Sequence, residues 1–254
     1  MSIPEAGPGS SGGWLRAPGS SGGWLRARLV GREEQTATGQ TLRFDVPDWR
    51  GHHPGQHVDV RLTADNGYQA VRSYSLAAPA RGHTIELGVQ TAPGGEVSSY
   101  LNDALPEGAE VEVKGPLGSW FVWTPHDKGP LVLVAGGCGI VALMAMLRAR
   151  RAAEPTNETC TLMCSVRKPE DLWYAGELAA PTGTETIRVL YTRQAPCGAS
   201  RSVGRLTAED LEGVLSSSEA RCSICRPTGF VEHAADLLQY LGQPPDTIRT
   251  ERFG

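Results

Sequence analysis

The sequence predicts a two-part fold, an N-terminal antiparallel β-barrel followed by an α/β domain on a parallel sheet with helices on both faces. Three observations predict it. From Trp24 to about Val122 short alternating segments are separated by turn residues, the pattern of half-buried antiparallel strands. After Lys128-Gly129-Pro130 the rhythm changes to alternating strands and helices, which implies a parallel sheet. A glycine-rich turn, Gly136-Gly137-Cys138-Gly139, stands where the first of those strands hands over to its helix. At 254 residues the chain is long enough for both parts to bury a core. The expected boundaries are 1–23 for an extension, 24–125 for the barrel and 126–254 for the α/β domain.

Residues 8–17 and 18–27 repeat PGSSGGWLRA. So much Gly, Ser and Pro cannot bury a face, so a flexible extension is expected rather than a solenoid, with only the second copy leading into the fold. The barrel strands are LRARLVGREEQ, TLRFDVP, HVDVRL, VRSYSLA, HTIELGVQ and AEVEVKGP. Val58, Val60 and Leu62, like Val111 and Val113, alternate with polar neighbours and point to one side. Between the last two strands, PGGEVSSYLNDAL offers Ser98 or Ser99 as the cap of a short helix beside a Gly-rich turn. Free amides at such a helix start form a phosphate cradle.

In the second part LVLVAGG reads as a fully buried strand and 139–151 as a helix. ETCTLMCSV, TIRVLYTR and RCSIC follow as strands, alternating with the helices PEDLWYAGEL, TAEDLEGVL and PTGFVEHAADLLQYL. In the last helix Phe230, Val231, Ala234 and Leu237 recur at about one turn. The GGCG turn is where a dinucleotide pyrophosphate can approach the backbone, although close strand–helix packing explains the glycines equally well.

Composition narrows the function. Hydrophobic residues make up 40% and charged residues 20%, and 24 basic against 28 acidic side chains leave a net charge of −4. No global field recruits nucleic acid or anionic lipid, so small molecules or proteins are the expected partners. The first residues lack the basic start and apolar core of a secretory signal. The apolar run Leu131–Leu147 has glycines at its centre and suits strand, turn and helix better than a membrane span. A cytoplasmic protein without membrane insertion is expected. Six cysteines are scattered at 138, 160, 164, 197, 222 and 225, with no iron–sulfur spacing, so reduced thiols and no metal are expected. His52, His53 and His57 surround the turn Pro54-Gly55-Gln56, which argues for a solvated loop rather than a metal site.

The chemistry concentrates in Arg72-Ser73-Tyr74-Ser75. Strand alternation puts Arg72 and Tyr74 on one side and the two serines on the other. A guanidinium can fork onto a phosphate, and a tyrosine ring can lie against a flat heterocycle. These are the requirements of a flavin site, though the tetrapeptide alone is more often an ordinary strand edge.

With PGQ (54–56), RSYS (72–75), GGEVSSYL (94–101), AGGCG (135–139), SVRKPEDL (165–172), CRPTGF (225–230) and the tail ERFG in this order, residues 24 to 254 resemble the ferredoxin–NADP reductase superfamily, in its two-domain form without an iron–sulfur domain. The resemblance implies a flavin-binding barrel and a nicotinamide dinucleotide-binding domain. It implies cofactor contacts by Arg72, Ser73, Tyr74, Ser75, Val89, Gly95, Val97 and Ser98 on the barrel. On the second domain it implies contacts by Gly137, Gly139 and Arg167, with Phe253 covering the flavin. Ser75, Cys225, Glu251 and Phe253 take the catalytic positions: Ser75 near flavin N5, Cys225 by the nicotinamide ring, Glu251 and Phe253 as the terminal acid and stacking aromatic. The implied cofactors are FAD, with FMN possible, and NADPH or NADH as co-substrate. The implied activity is hydride transfer from nicotinamide to flavin, then onward transfer to a separate iron–sulfur or haem protein such as a ferredoxin, oxygenase or cytochrome P450 component. A monomer is expected. The sequence departs from the pattern at Val141-Ala142, where Thr-Pro or Ala-Pro is usual, at Arg226, where glycine is usual, and around CGASRSVG, which lacks an expected tryptophan. These departures leave an alternative, a flavin-binding electron-transfer or assembly subunit with a degraded nicotinamide site.

Overall fold

The computed structural model describes residues 23–154, 157–215 and 219–252. The first copy of the decapeptide repeat and the first half of the second lie outside them, as does Phe253. Trp24, from the second copy, lies with the Arg61 guanidinium 4.3 Å above its ring, and Leu25 begins the first strand.

The barrel strands are β1 (Leu25–Thr36), β2 (Gly39–Asp45), β3 (His57–Thr63), β4 (Gln69–Ser75), β5 (Thr84–Gln90) and β6 (Glu110–Leu117). They form an antiparallel sheet in the order β4-β3-β6-β1-β2-β5. A bridge between Leu76 and Leu87 brings the two edge strands together at one end. In β3, Val58, Val60 and Leu62 are buried while His57, Asp59 and Arg61 are half-buried on the outer side. The inward residues join Leu29, Phe44 and Leu87 in one core. Between β5 and β6 a helix α1 (Glu96–Ser99) runs on into a wider turn over Tyr100–Ala104.

The second sheet is parallel, in the order β11-β10-β7-β8-β9. Its strands are β7 (Leu131–Gly136), β8 (Cys160–Val166), β9 (Glu185–Tyr191), β10 (Arg221–Cys225) and β11 (Ile248–Glu251). β7 and β8 are buried at every residue, as a strand covered on both faces must be. The helix α2 (Ile140–Ala152) covers one face and α5 (Thr228–Tyr240) the other. The short helices α3 (Ala175–Leu178) and α4 (Ala208–Glu212) complete the connections. Thr207 and Asp210 form a reciprocal capping box on α4.

Two sequence expectations need correction. PEDLWYAGEL is not one helix: a 3₁₀ turn at Pro169–Asp171 is followed by Trp173 and Tyr174, and α3 begins only at Ala175. Tyr174 has φ +56, and tertiary contacts hold it there. Its amide donates to Gln35 Oε1 at 3.0 Å, and its phenol accepts from Thr41 at 3.2 Å, both groups of the barrel. The second is β11, which the sequence presents only as a tail; burial on β10 makes it a strand. Among the described residues no helix is long and apolar enough to cross a membrane.

The two parts share packing. Ala77, Phe121 and Trp123, on the barrel side, lie in the same apolar cluster as α2. Arg148 of α2 donates to the Ala77 carbonyl at 2.9 Å and to Glu86 of β5 at 3.4 Å, while holding Glu177 at 2.7 Å.

Candidate functional site

Two connected clefts lie where the parts meet. The larger, about 950 Å³, opens at the C-terminal ends of β7, β8, β9 and β10, where open parallel sheets hold their ligands. Gly136, Gly137 and Cys138 form one wall, and Arg167, Arg193 and Arg205 supply cations. The smaller, about 50 Å³, lies between Ser73–Ser75 of β4, Gly88 of β5 and the turn before α2. Gln90, Cys138 and Arg226 line both.

The glycines of the turn have distinct reasons. Gly137 has φ +55, and nothing stands within 4 Å of the space a Cβ would take, so the backbone is open to a ligand. Gly139 is packed shut instead: a Cβ there would fall 2.6 Å from Arg226 Cβ and closer still to the Cys225 carbonyl. Strand–helix packing therefore accounts for Gly139, and the space beside Gly137 fits a dinucleotide.

On the barrel the expected flavin residues divide. Tyr74 is buried, and burial pushes its phenol up to about 12 despite the opposing Arg72 cation. Ser75 lines the small cleft and is paired across the ladder with His57. Arg72 is exposed, its guanidinium bonded among the described residues only to the carbonyl of Val71 at 2.7 Å, so its charge is available near α1, which packs on β4. Ser73 lines the small cleft but gives its hydroxyl to Asp59 at 2.6 Å. Ser98 is turned inward, accepting from the Ala92 amide at 3.1 Å and donating to the Gly95 carbonyl at 3.3 Å. It shapes the loop.

Three expected contacts are placed differently. The side chains of Val89 and Val97 lie in the barrel core, 0% and 1% exposed; alternation along β5 and the inward side of α1 put them there, so only their backbone can meet a cofactor. Cys225 is fully buried, and desolvation raises its thiol far above the ordinary range. It lines neither cleft; its neighbour Arg226 lines both. Arg167 lines the large cleft.

Arg226 has φ +70, a left-handed conformation that costs a residue with a Cβ roughly 1–2 kcal/mol. Its amide donates to the Glu251 carbonyl at 3.1 Å. Glu251 sends its carboxylate to the barrel, with Oε1 3.1 Å from Nδ1 of His57. His57 is therefore a domain-facing residue rather than part of a solvated loop. His52 also departs from that expectation: it is half-buried, accepts from the Trp49 indole at 3.1 Å and binds the Ala78 carbonyl at 2.8 Å. Sequence reasoning missed Gln90, Cys138, Arg205 and His233 in the clefts. Cys138 and the turn of which it is part were recognisable; Arg205 and His233 come from loop and helix positions that only the fold brings together.

Residues 26–122 match the oxidoreductase FAD-binding domain family, and residues 133–236 match the oxidoreductase NAD-binding domain family. The chain is 25% identical over 228 residues to the ferredoxin–NAD(P)(+) reductase component of a naphthalene 1,2-dioxygenase system from Pseudomonas putida, covering 89% of this chain and 67% of that one. It is 32% identical over 236 residues to a flavohemoprotein of Pseudomonas putida, covering 89% of this chain and 58% of the relative. It thus spans about two thirds or less of these relatives. Among solved structures, an Amycolatopsis cytochrome P450 reductase superposes with a TM-score of 0.78 at 26% identity, covering 91% of this chain and 69% of that one.

Proposed function

The chain belongs to the NAD(P)H-dependent oxidoreductases that join an FAD-binding domain to an NAD-binding domain in the ferredoxin–NADP reductase fold, and from that premise we propose that it reduces its flavin with NADPH in preference to NADH and passes electrons to an iron–sulfur or haem centre elsewhere. One observation carries the reading: the small cleft and the large cleft share the wall made by Gln90, Cys138 and Arg226. Hydride transfer needs donor and acceptor rings in contact, and binding supplies most of the acceleration by orienting them.

Bound FAD would supply a hydride acceptor able to release electrons singly. The residues present fit it. Tyr74 presents a neutral phenol ring, Ser75 an Oγ at the same wall, and Arg72 an available cation for the phosphates. Val141 packs tightly onto Gly88 at the inner end of the small cleft, which excludes water there. Arg167, Arg193 and Arg205 give the large cleft a positive lining suited to a dinucleotide with an extra phosphate. The proposed onward partner rests on the dioxygenase and cytochrome P450 reductases among the similar proteins.

The test is anaerobic addition of each nicotinamide to the purified, flavin-loaded protein. Bleaching of the yellow colour within seconds, faster with NADPH, is expected. Colour that persists with both donors would sink the reading and favour the flavin-binding subunit, for which the displaced glycine at Arg226 is the supporting observation.

A further inference from the structure

Arg226 combines three properties that packing alone does not require. Its backbone holds φ +70, a conformation that glycine adopts without penalty. Its side chain lines both clefts at their common wall. Its guanidinium has no ion pair or hydrogen bond among the described residues. A strained residue with an unspent charge at a ligand cleft points from geometry to function.

Which anion it serves follows from what else lines each cleft. The large cleft already has Arg167, Arg193 and Arg205 for phosphates. The rest of the small cleft's lining, from Ser73–Ser75 and Gly88 to Cys138 and Val141, carries no formal charge: burial keeps both the Tyr74 phenol and the Cys138 thiol protonated. Among the described residues Arg226 is therefore the single cation lining the small cleft. A hydride brings two electrons and one proton from a dihydronicotinamide, which leaves as the cationic nicotinamide. The neutral ring that receives it gains one negative charge unless a second proton follows.

We propose that Arg226 is an electrostatic tuning residue: its guanidinium stabilises the negative charge that arrives on the flavin ring in the small cleft, so that this chain holds its flavin at a higher reduction potential than a glycine at the same position would give. In a dry cleft one fixed charge acts far more strongly than in water, and protein charge beside the ring is a recognised lever on flavin electronics. The same cation favours hydride uptake and opposes electron release, so it sets how the driving force is divided between the two half-reactions. The inference rests on the proposed flavin site.

Spectroelectrochemical titration of FAD-loaded protein tests it. Arg226→Met is expected to make two-electron reduction at least tenfold less favourable, about 30 mV lower by the two-electron relation, and Arg226→Lys to recover most of the shift. Should Arg226→Met not fold, Arg226→Gly suits the backbone and carries the same comparison. An unchanged potential in a yellow variant overturns the inference and leaves the flavin reading standing. So does an unchanged potential with tenfold weaker NADP⁺ binding, which would assign the cation to phosphate. Wild-type protein that refuses both FAD and FMN sinks the flavin reading itself.

Discussion

Among the described residues Arg72 bonds only to the carbonyl of its own neighbour, so removing it breaks no structural contact there and isolates its proposed role toward the cofactor. A hydrogen bond to a charged group contributes about 1.5–3 kcal/mol, so Arg72→Gln should weaken FAD binding by about 10- to 100-fold with little change in melting temperature; fluorescence of released flavin measures it, and equal loss of stability would mean a structural role instead. His52 makes a different kind of prediction. It accepts from the Trp49 indole and donates to the Ala78 carbonyl, which fixes the neutral ring, and burial lowers its pKa from 6.5. The folded state therefore binds fewer protons than the unfolded chain below about pH 6.5, and stability falls as pH drops through that window. Urea unfolding at about pH 7 and about pH 5 should show a loss in the wild type that shrinks in His52→Gln, whose amide can make the same two bonds; an identical loss would refute it. Ser73, Tyr74 and Ser75 line the small cleft while Arg72 does not, so strand alternation alone did not say which of the four side chains face it. The side chains of Val89, Val97 and Cys225 are buried: a motif marks a segment, while burial decides which of its atoms are exposed.

At the scale of elements, β5 and the start of α2 meet without clearance. A Cβ on Gly88 would be driven into both methyl groups of Val141, so the strand can lie against the helix only with glycine there. Overpacking of this kind costs typically 1–3 kcal/mol. Gly88→Ala should lower stability by about that amount, and Val141→Ala in the same chain should restore much of it. Simple additivity in thermal unfolding would show that the contact does not carry the effect. The strands and long helices around this contact were legible, since β7 reads as an unbroken apolar run and β3 as a strict alternation. The break at Trp173-Tyr174 and the strand β11 were not. Both depend on partners distant in sequence: Gln35 and Thr41 for Tyr174, and β10 for Ile248–Glu251.

At the scale of the molecule, function needs two domains held so that their clefts share a wall. The contacts that do this lie on two sides. Glu251 reaches His57 on one, and on the other Arg148 joins α2 to the Ala77 carbonyl, Glu86 and Glu177, with the Tyr174 ring 4.8 Å from its guanidinium carbon. Arg148 is 23% exposed and its carboxylate partners 30%, so water screens part of the attraction and the loss on removal is nearer 1–3 kcal/mol than the larger cost of a fully buried pair. None of its partners reaches either cleft lining. Arg148→Met keeps an apolar stem at this position of α2 and deletes the charge. It should leave FAD affinity near wild type, because the barrel site is intact. It should slow bleaching by NADPH by about tenfold, since each 1.4 kcal/mol of lost orientation is a factor of ten in rate. Calorimetry gives an independent reading: coupled domains unfold together, and the variant should split into two transitions, one shifted by FAD and one by NADP⁺. A single transition with an unaltered bleaching rate would mean that the apolar packing of Ala77, Phe121 and Trp123 against α2 is sufficient to hold the clefts in register.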